Sequence, residues 1–95
     1  MKEKAFENQV KSYLKSKGIW FTKIWGGGYQ RAGIPDILAC VNGTFFGIEL
    51  KSETGKPSEL QKYNVNKIQE SGGVAGIYYP KDFDRLKQKI EEFLR

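Results

Sequence analysis

Ninety-five residues make one small domain, and 39 % hydrophobic with 14 % aromatic residues is the composition of a folded chain rather than a disordered one. A single cysteine excludes an intrachain disulfide and a cysteine-based zinc site, and the absence of histidine excludes imidazole ligands and bases, so any chemistry must run on carboxylates, lysine, hydroxyls or amides. A net charge of +5 and a pI near 9.4 suit a polyanionic partner, although many small soluble proteins carry as much.

In chain order, Lys4 to Lys17 reads as an amphipathic helix: Phe6, Val10, Tyr13 and Leu14 fall at i, i+4, i+7 and i+8, and Gly18 is a natural stop. This N-terminal segment lacks the apolar core of a signal peptide, and no later run reaches the length of a membrane span. The expectation is therefore a cytoplasmic chain, of a bacterial or phage-infected cell, with no membrane partner. Ile19 to Trp25, rich in β-branched and aromatic residues, predicts a strand, with Trp20 and Trp25 as core or interface anchors. Gly26-Gly27-Gly28 then opens a turn continuing through Tyr29, Gln30, Arg31, Ala32 and Gly33; it lacks the lysine and hydroxyl ending of a phosphate loop.

Ile34 to Val41 and Thr44 to Ser52 predict two more strands around Asn42-Gly43, a strong signal for a type I′ hairpin. After the loop Glu53 to Pro57, Ser58 opens a helix with Gln61 in the capping-box position, and Gly72-Gly73 closes it. Val74 to Tyr79 predicts a strand, and Asp82 the cap of a last helix whose Phe83, Leu86, Ile90, Phe93 and Leu94 share one face. The order α-β-β-β-α-β-α predicts a single mixed α/β domain over residues 1–95, its sheet flanked by helices.

The hairpin fixes a register. With Asn42-Gly43 in the turn, Val41 pairs with Thr44 and Asp36 falls opposite Glu49, with Lys51 on the same face by period-two alternation and Ile48 and Leu50 on the other. Facing carboxylates repel unless something neutralises them. Lys51 could do so in a structural ion-pair cluster, or a divalent cation such as Mg²⁺ could sit between the acids. On the first helix Glu7 projects within about 20° of Leu14, and on the helix after Ser58 the amides of Gln61 and Asn64 turn toward the Leu60–Ile68 stripe. Inward-facing polar groups need partners.

The run Gly33-Ile-Pro-Asp36, the Gly-containing hairpin, Ile48-Glu-Leu-Lys51, and then Gly55, Lys56, Ser58 and Gln61 resemble the signature of the PD-(D/E)XK nuclease superfamily, and in particular its VRR-NUC (virus-type replication–repair nuclease) branch. The resemblance spans Glu7 to Tyr79 and implies a restriction-endonuclease-like fold and a DNA phosphodiesterase. It implies that Asp36, Glu49 and the backbone carbonyl of Leu50 hold Mg²⁺ or Mn²⁺, and that Glu7 completes or supports that site through water. By the same resemblance Lys51 orients and helps deprotonate the attacking water or stabilises transition-state charge, with Gln61 beside it. Arg31, Tyr29, Lys56 and Ser58 would contact DNA, although Arg31 and Lys56 read equally well as solvated loop residues.

So small a chain has little surface for reading bases, which favours recognition of branched DNA by shape. The resemblance likewise implies a homodimer acting like a Holliday-junction resolvase. Alternatives are a flap nuclease or exonuclease of the same fold, a non-catalytic DNA-binding module, or a basic protein with a buried ion-pair cluster.

Overall fold

A computed structural model describes residues 1–25 and 32–94. Helix α1 (Glu3–Ser16) is followed by strands β1 (Trp20–Lys23), β2 (Ile37–Val41) and β3 (Thr44–Leu50). Helix α2 (Glu59–Glu70), strand β4 (Val74–Tyr78), a 3-10 turn over Pro80–Asp82 and helix α3 (Phe83–Phe93) complete the chain. The strands form one sheet in the order β1-β2-β3-β4, antiparallel across the first three and parallel between β3 and β4, which α2 links by a crossover. This is the expected α/β order, a mixed sheet flanked by helices. No described helix is long and apolar enough to cross a membrane.

The two sheet faces have different tasks. Ile37, Ala39 and Val41 of β2 alternate inward with Phe46, Ile48 and Leu50 of β3, and these residues bury against Phe6, Val10 and Leu14 of α1 and Leu86 and Ile90 of α3. Edge-on ring contacts, Phe6 to Phe83 at 5.8 Å and Phe46 to Phe93 at 5.3 Å, lock the two helices over this core. The opposite face carries α2, whose Ile68 lies over Gly47. That face also carries the row Trp20, Cys40 and Phe45, cross-strand neighbours on β1, β2 and β3, all exposed.

Several boundaries differ from the sequence expectations, each for a local reason. β2 starts at Ile37 rather than Ile34, because Gly33 has φ +80° and Pro35 has no N–H for a ladder. β1 is confined to Trp20–Lys23 and β3 ends at Leu50. Asp82 precedes α3 but does not cap it; its carboxylate accepts the Tyr79 N–H at 2.9 Å and closes the 3-10 turn instead. Trp20 and Trp25 are both 66 % exposed, so neither is a core anchor.

Candidate active site

The β2–β3 hairpin turns on Asn42 (φ 50°) and Gly43 (φ 85°), both in the left-handed region that a type I′ turn requires. Val41 pairs with Thr44 and Ile37 with Ile48, and the next step of the same register sets Asp36 opposite Glu49. Asp36 is fixed from both sides: its carbonyl accepts the Ile24 N–H at 2.7 Å, and its Oδ2 accepts the Leu50 N–H at 2.9 Å. The approach to Asp36 is equally constrained. A β-carbon on Gly33 would lie 2.7 Å from the Leu60 carbonyl carbon, so the chain passes against the first turn of α2 before entering the buried Pro35.

Glu49 lies near the end of the central strand and is only 1 % exposed. Lys51, its neighbour on the same face, reaches Oε2 at 3.4 Å. The other oxygen, Oε1, is buried and has no hydrogen-bond partner, alone in this among the described residues. Burial and then the neighbouring Asp36 charge push the Glu49 carboxyl up to about 7, against the opposing pull of Lys51. An acid pair with one member buried and one lysine is thus under-neutralised. A second acceptor-seeking charge is what the site lacks, and a hard divalent cation fits a pair of carboxylates with one open oxygen.

Glu7 is held by a group of lysines. Among the described residues no three acidic, cysteine or histidine side chains gather closely enough to share an ion. Glu7 is 4 % exposed and projects from α1, on the sheet face opposite Asp36 and Glu49. Its carboxylate is held by Lys23 at 2.5 Å, Lys11 at 3.2 Å and Lys4 at 3.4 Å. Burial alone would raise this acid, but the hydrogen bonds from Lys23 and Lys11 outweigh it and hold the carboxyl down at about 2. These lysines thus engage the carboxylate that the family resemblance expects to complete or support the metal site through water.

Ser58 and Gln61 form the expected capping box, with Gln61 N–H donating to Ser58 Oγ at 3.1 Å and Ser58 N–H to Gln61 Oε1 at 2.8 Å. Both side-chain acceptors are therefore committed to α2, and what remains for a ligand is the Ser58 hydroxyl proton and the Gln61 amide NH₂. Asn64 donates to the Leu60 carbonyl at 3.0 Å, a bond within its own helix. Lys56 is exposed and lines, with Glu53, Thr54, Gly55, Tyr79 and Lys81, a cavity of about 760 Å³ in the loops that follow β3 and β4. Tyr29 and Arg31 lie outside the described residues.

The family model described as archaeal Holliday junction resolvase (Hjc) matches residues 1–77. The chain belongs to the archaeal Holliday junction resolvase family. Among solved structures, this resolvase-family chain is similar to a VRR_NUC domain, with a TM-score of 0.73 and 24 % identity over 90 % of this chain and 94 % of that one. It is also similar to Hjc of Archaeoglobus fulgidus, a Holliday junction resolvase from an archaeal hyperthermophile, with a TM-score of 0.58 and 22 % identity over 80 % of this chain and 66 % of that one. These likenesses show the restriction-endonuclease-like fold. No curated protein matches.

In this resolvase-family chain the lysines around Glu7 are what sequence reasoning missed. The i−3 and i+4 spacing of Lys4 and Lys11 from Glu7 was legible as a pair of helix ion pairs. Lys23 was not, because its contact depends on β1 turning that side chain toward α1.

Proposed function

We propose that residues 1–95 form a single nuclease domain that hydrolyses phosphodiester bonds in branched DNA, with the four-way junction as its substrate and Mg²⁺ or Mn²⁺ as its cofactor. Membership of a Holliday junction resolvase family supports the substrate class. The observation that carries the chemistry is the buried, partnerless Oε1 of Glu49 beside Asp36. A structural ion-pair cluster would leave that oxygen desolvated and unpaired, at a cost of about 1–3 kcal/mol or more for a charged group.

Asp36, Glu49 and the Leu50 carbonyl would hold the cation. When bound, it supplies a polarised water and neutralises charge on the scissile phosphate. Lys51, anchored to Glu49 Oε2 at 3.4 Å, orients the attacking water and balances charge developing on the phosphate oxygens. The Leu50 N–H holds the Asp36 carboxylate in place, and the Gln61 NH₂ serves as a neutral donor toward the water or phosphate. Arg31, Tyr29, Lys56 and the Ser58 hydroxyl contact the DNA backbone. The exposed row Trp20, Cys40 and Phe45 supports a homodimer, since a symmetric pair would cover it and present two sites to a two-fold junction.

The test is cleavage of labelled duplex, flap and four-way junction in Mg²⁺, Mn²⁺ or EDTA. Junction cutting that stops in EDTA, and falls by at least about 100-fold in Asp36→Ala, Glu49→Gln and Lys51→Ala, is expected. A folded wild-type chain that cuts none of these substrates in either cation overturns the reading.

A further inference from the structure

The cavity of about 760 Å³ opens where two neighbouring parallel strands end, between the loop after β3 and the turn after β4. The carboxyl ends of adjacent parallel strands are where open α/β sheets hold ligands. Both walls are fixed in place. The Lys51 N–H donates to the Tyr78 carbonyl at 3.0 Å, which ties the two strand ends together. The Asp82 N–H donates to the Tyr79 carbonyl at 2.8 Å, and the Tyr79 N–H to the Asp82 carboxylate at 2.9 Å. Tyr79, Pro80 and Lys81 therefore sit in a closed turn.

One glycine joins this cavity to the candidate cleavage centre. A β-carbon on Gly55 would stand 3.4 Å from Lys51 Cδ, so the loop lies directly against the Lys51 stem. Lys51 in turn reaches Glu49 Oε2 at 3.4 Å. The charge of the lining is positive. Lys56 and Lys81 are exposed, and neither forms an ion pair among the described residues. Glu53, the acid beside them, is engaged by the Met1 amino group at 2.5 Å. Tyr79 and Pro80, both half-buried, supply a ring and an apolar wall. The volume lies within the range of about 300–1,000 Å³ that takes a small organic ligand, more than a lone phosphate needs and too little for a duplex.

We propose that this cavity holds one unstacked nucleotide of the bound DNA strand, with its base or sugar against Tyr79 and Pro80 and its flanking phosphates on Lys56 and Lys81. The inference rests on the reading of this protein as a nuclease of branched DNA, and adds how a branch is told from plain duplex. Taking a nucleotide out of its stack is costly within a duplex and least costly where pairing is already disturbed. A branch point supplies such a nucleotide. Lysine ammonium groups suit phosphate oxygens as point charges, and an aromatic ring accepts the face of any base, so the site selects shape and not sequence.

The test places 2-aminopurine at each position flanking the branch of a four-way junction in turn. Protein is added in EDTA, where no cation supports cutting. Expected is a change in 2-aminopurine emission beside the branch, kept in Tyr79→Phe and lost in Tyr79→Ala. The ratio of junction to duplex affinity is expected to fall about tenfold in Tyr79→Ala, the scale of one base–aromatic stack, and to stay near the parental value in Tyr79→Phe. Lys81→Gln is expected to lower the slope of log affinity against log salt by about 1. Tyr79→Leu, which keeps apolar bulk without a ring, takes the place of Tyr79→Ala should that variant unfold.

A junction that binds with no emission change at any labelled position overturns the proposal. So do ring-less variants that keep the parental preference for the junction. Cutting in Mg²⁺ that survives in either event leaves the nuclease reading intact. Conversely, an emission change that depends on the Tyr79 ring, with no cutting in any cation, sustains this site and removes the nuclease assignment.

Discussion

Glu49 is a residue whose environment in the metal-free protein opposes its own charge. Its carboxyl is raised to about 7 from an ordinary 4.5, so the folded chain binds that proton more tightly than the unfolded chain does. The stability this represents is fully present below about pH 4.5 and is lost as pH rises through 7, amounting to about 3 kcal/mol at alkaline pH. Glu7 has the opposite sign: it is lowered to about 2, so it stabilises above 4.5 and loses that stabilisation only in acid. With no histidine in the chain, the interval from pH 5 to 7 is left to Glu49. Thermal melts in EDTA are expected to fall across this interval, and Glu49→Gln to flatten the profile and raise the melting temperature at pH 8. A wild-type profile that rises instead would contradict the assignment. Added Mg²⁺ or Mn²⁺ is expected to raise the wild-type melting temperature most at pH 8, and to leave Glu49→Gln nearly unmoved.

At the scale of the elements, the positions of the acids depend on turns and close approaches more than on the strands themselves. Gly33 combines φ +80° with a β-carbon position 2.7 Å from the Leu60 backbone. Gly33→Ala is expected to cost about 3 kcal/mol, from strain and overpacking together, and to move Asp36, read as a lower urea midpoint and weaker cation binding. Ser58→Ala should cost about 1 kcal/mol by removing the α2 cap, whereas Ser58→Asp should retain most of it. Much of this organisation was legible in the sequence. Asn42-Gly43 determined the hairpin register, and with it the pairing of Asp36 and Glu49, because a two-residue turn admits one register. Phe6, Val10 and Leu14 announced the buried stripe of α1, and Ser58 with Gln61 announced the capping box. The lysines that hold Glu7 were only partly legible: Lys4 and Lys11 share its helix face, but Lys23 reaches it from β1. Helical periodicity gives the direction of a side chain around its own axis, but not which side of a sheet that helix will cover. Of the two roles read for the tryptophans, core or interface anchor, the core one fails for a related reason: β propensity reports fit to a pleated surface, and one face of that surface can be left to solvent.

For the whole molecule, the exposed face that Trp20, Cys40 and Phe45 share crosses three strands, and Leu60 and Tyr63 of α2 are exposed as well. Apolar residues aligned across neighbouring strands mark an association surface better than the same residues scattered singly. Sedimentation of the wild-type protein is expected to show a dimer, and Trp20→Glu or Phe45→Lys a monomer with unchanged circular dichroism. A monomeric wild-type chain at micromolar concentration would remove the dimer from the proposed function. If the dimer forms, its loss should lower paired cutting of a junction more than nicking of a single strand, because coordinated incision needs both sites on one substrate.

The short hairpin joining Asp36 to Glu49 has a kinetic consequence. Two acids, proposed above to ligate a cation, that lie on one hairpin with a two-residue turn meet with little loss of chain entropy, so their meeting is a local event that need not wait for the crossover through α2. A cation could then bind while the rest of the sheet is still assembling. Mg²⁺ in the refolding buffer is expected to accelerate folding, and not only to slow unfolding, in stopped-flow traces of tryptophan emission. A cation that changes the unfolding rate alone would mean that the acids meet only after the folding transition state has been crossed.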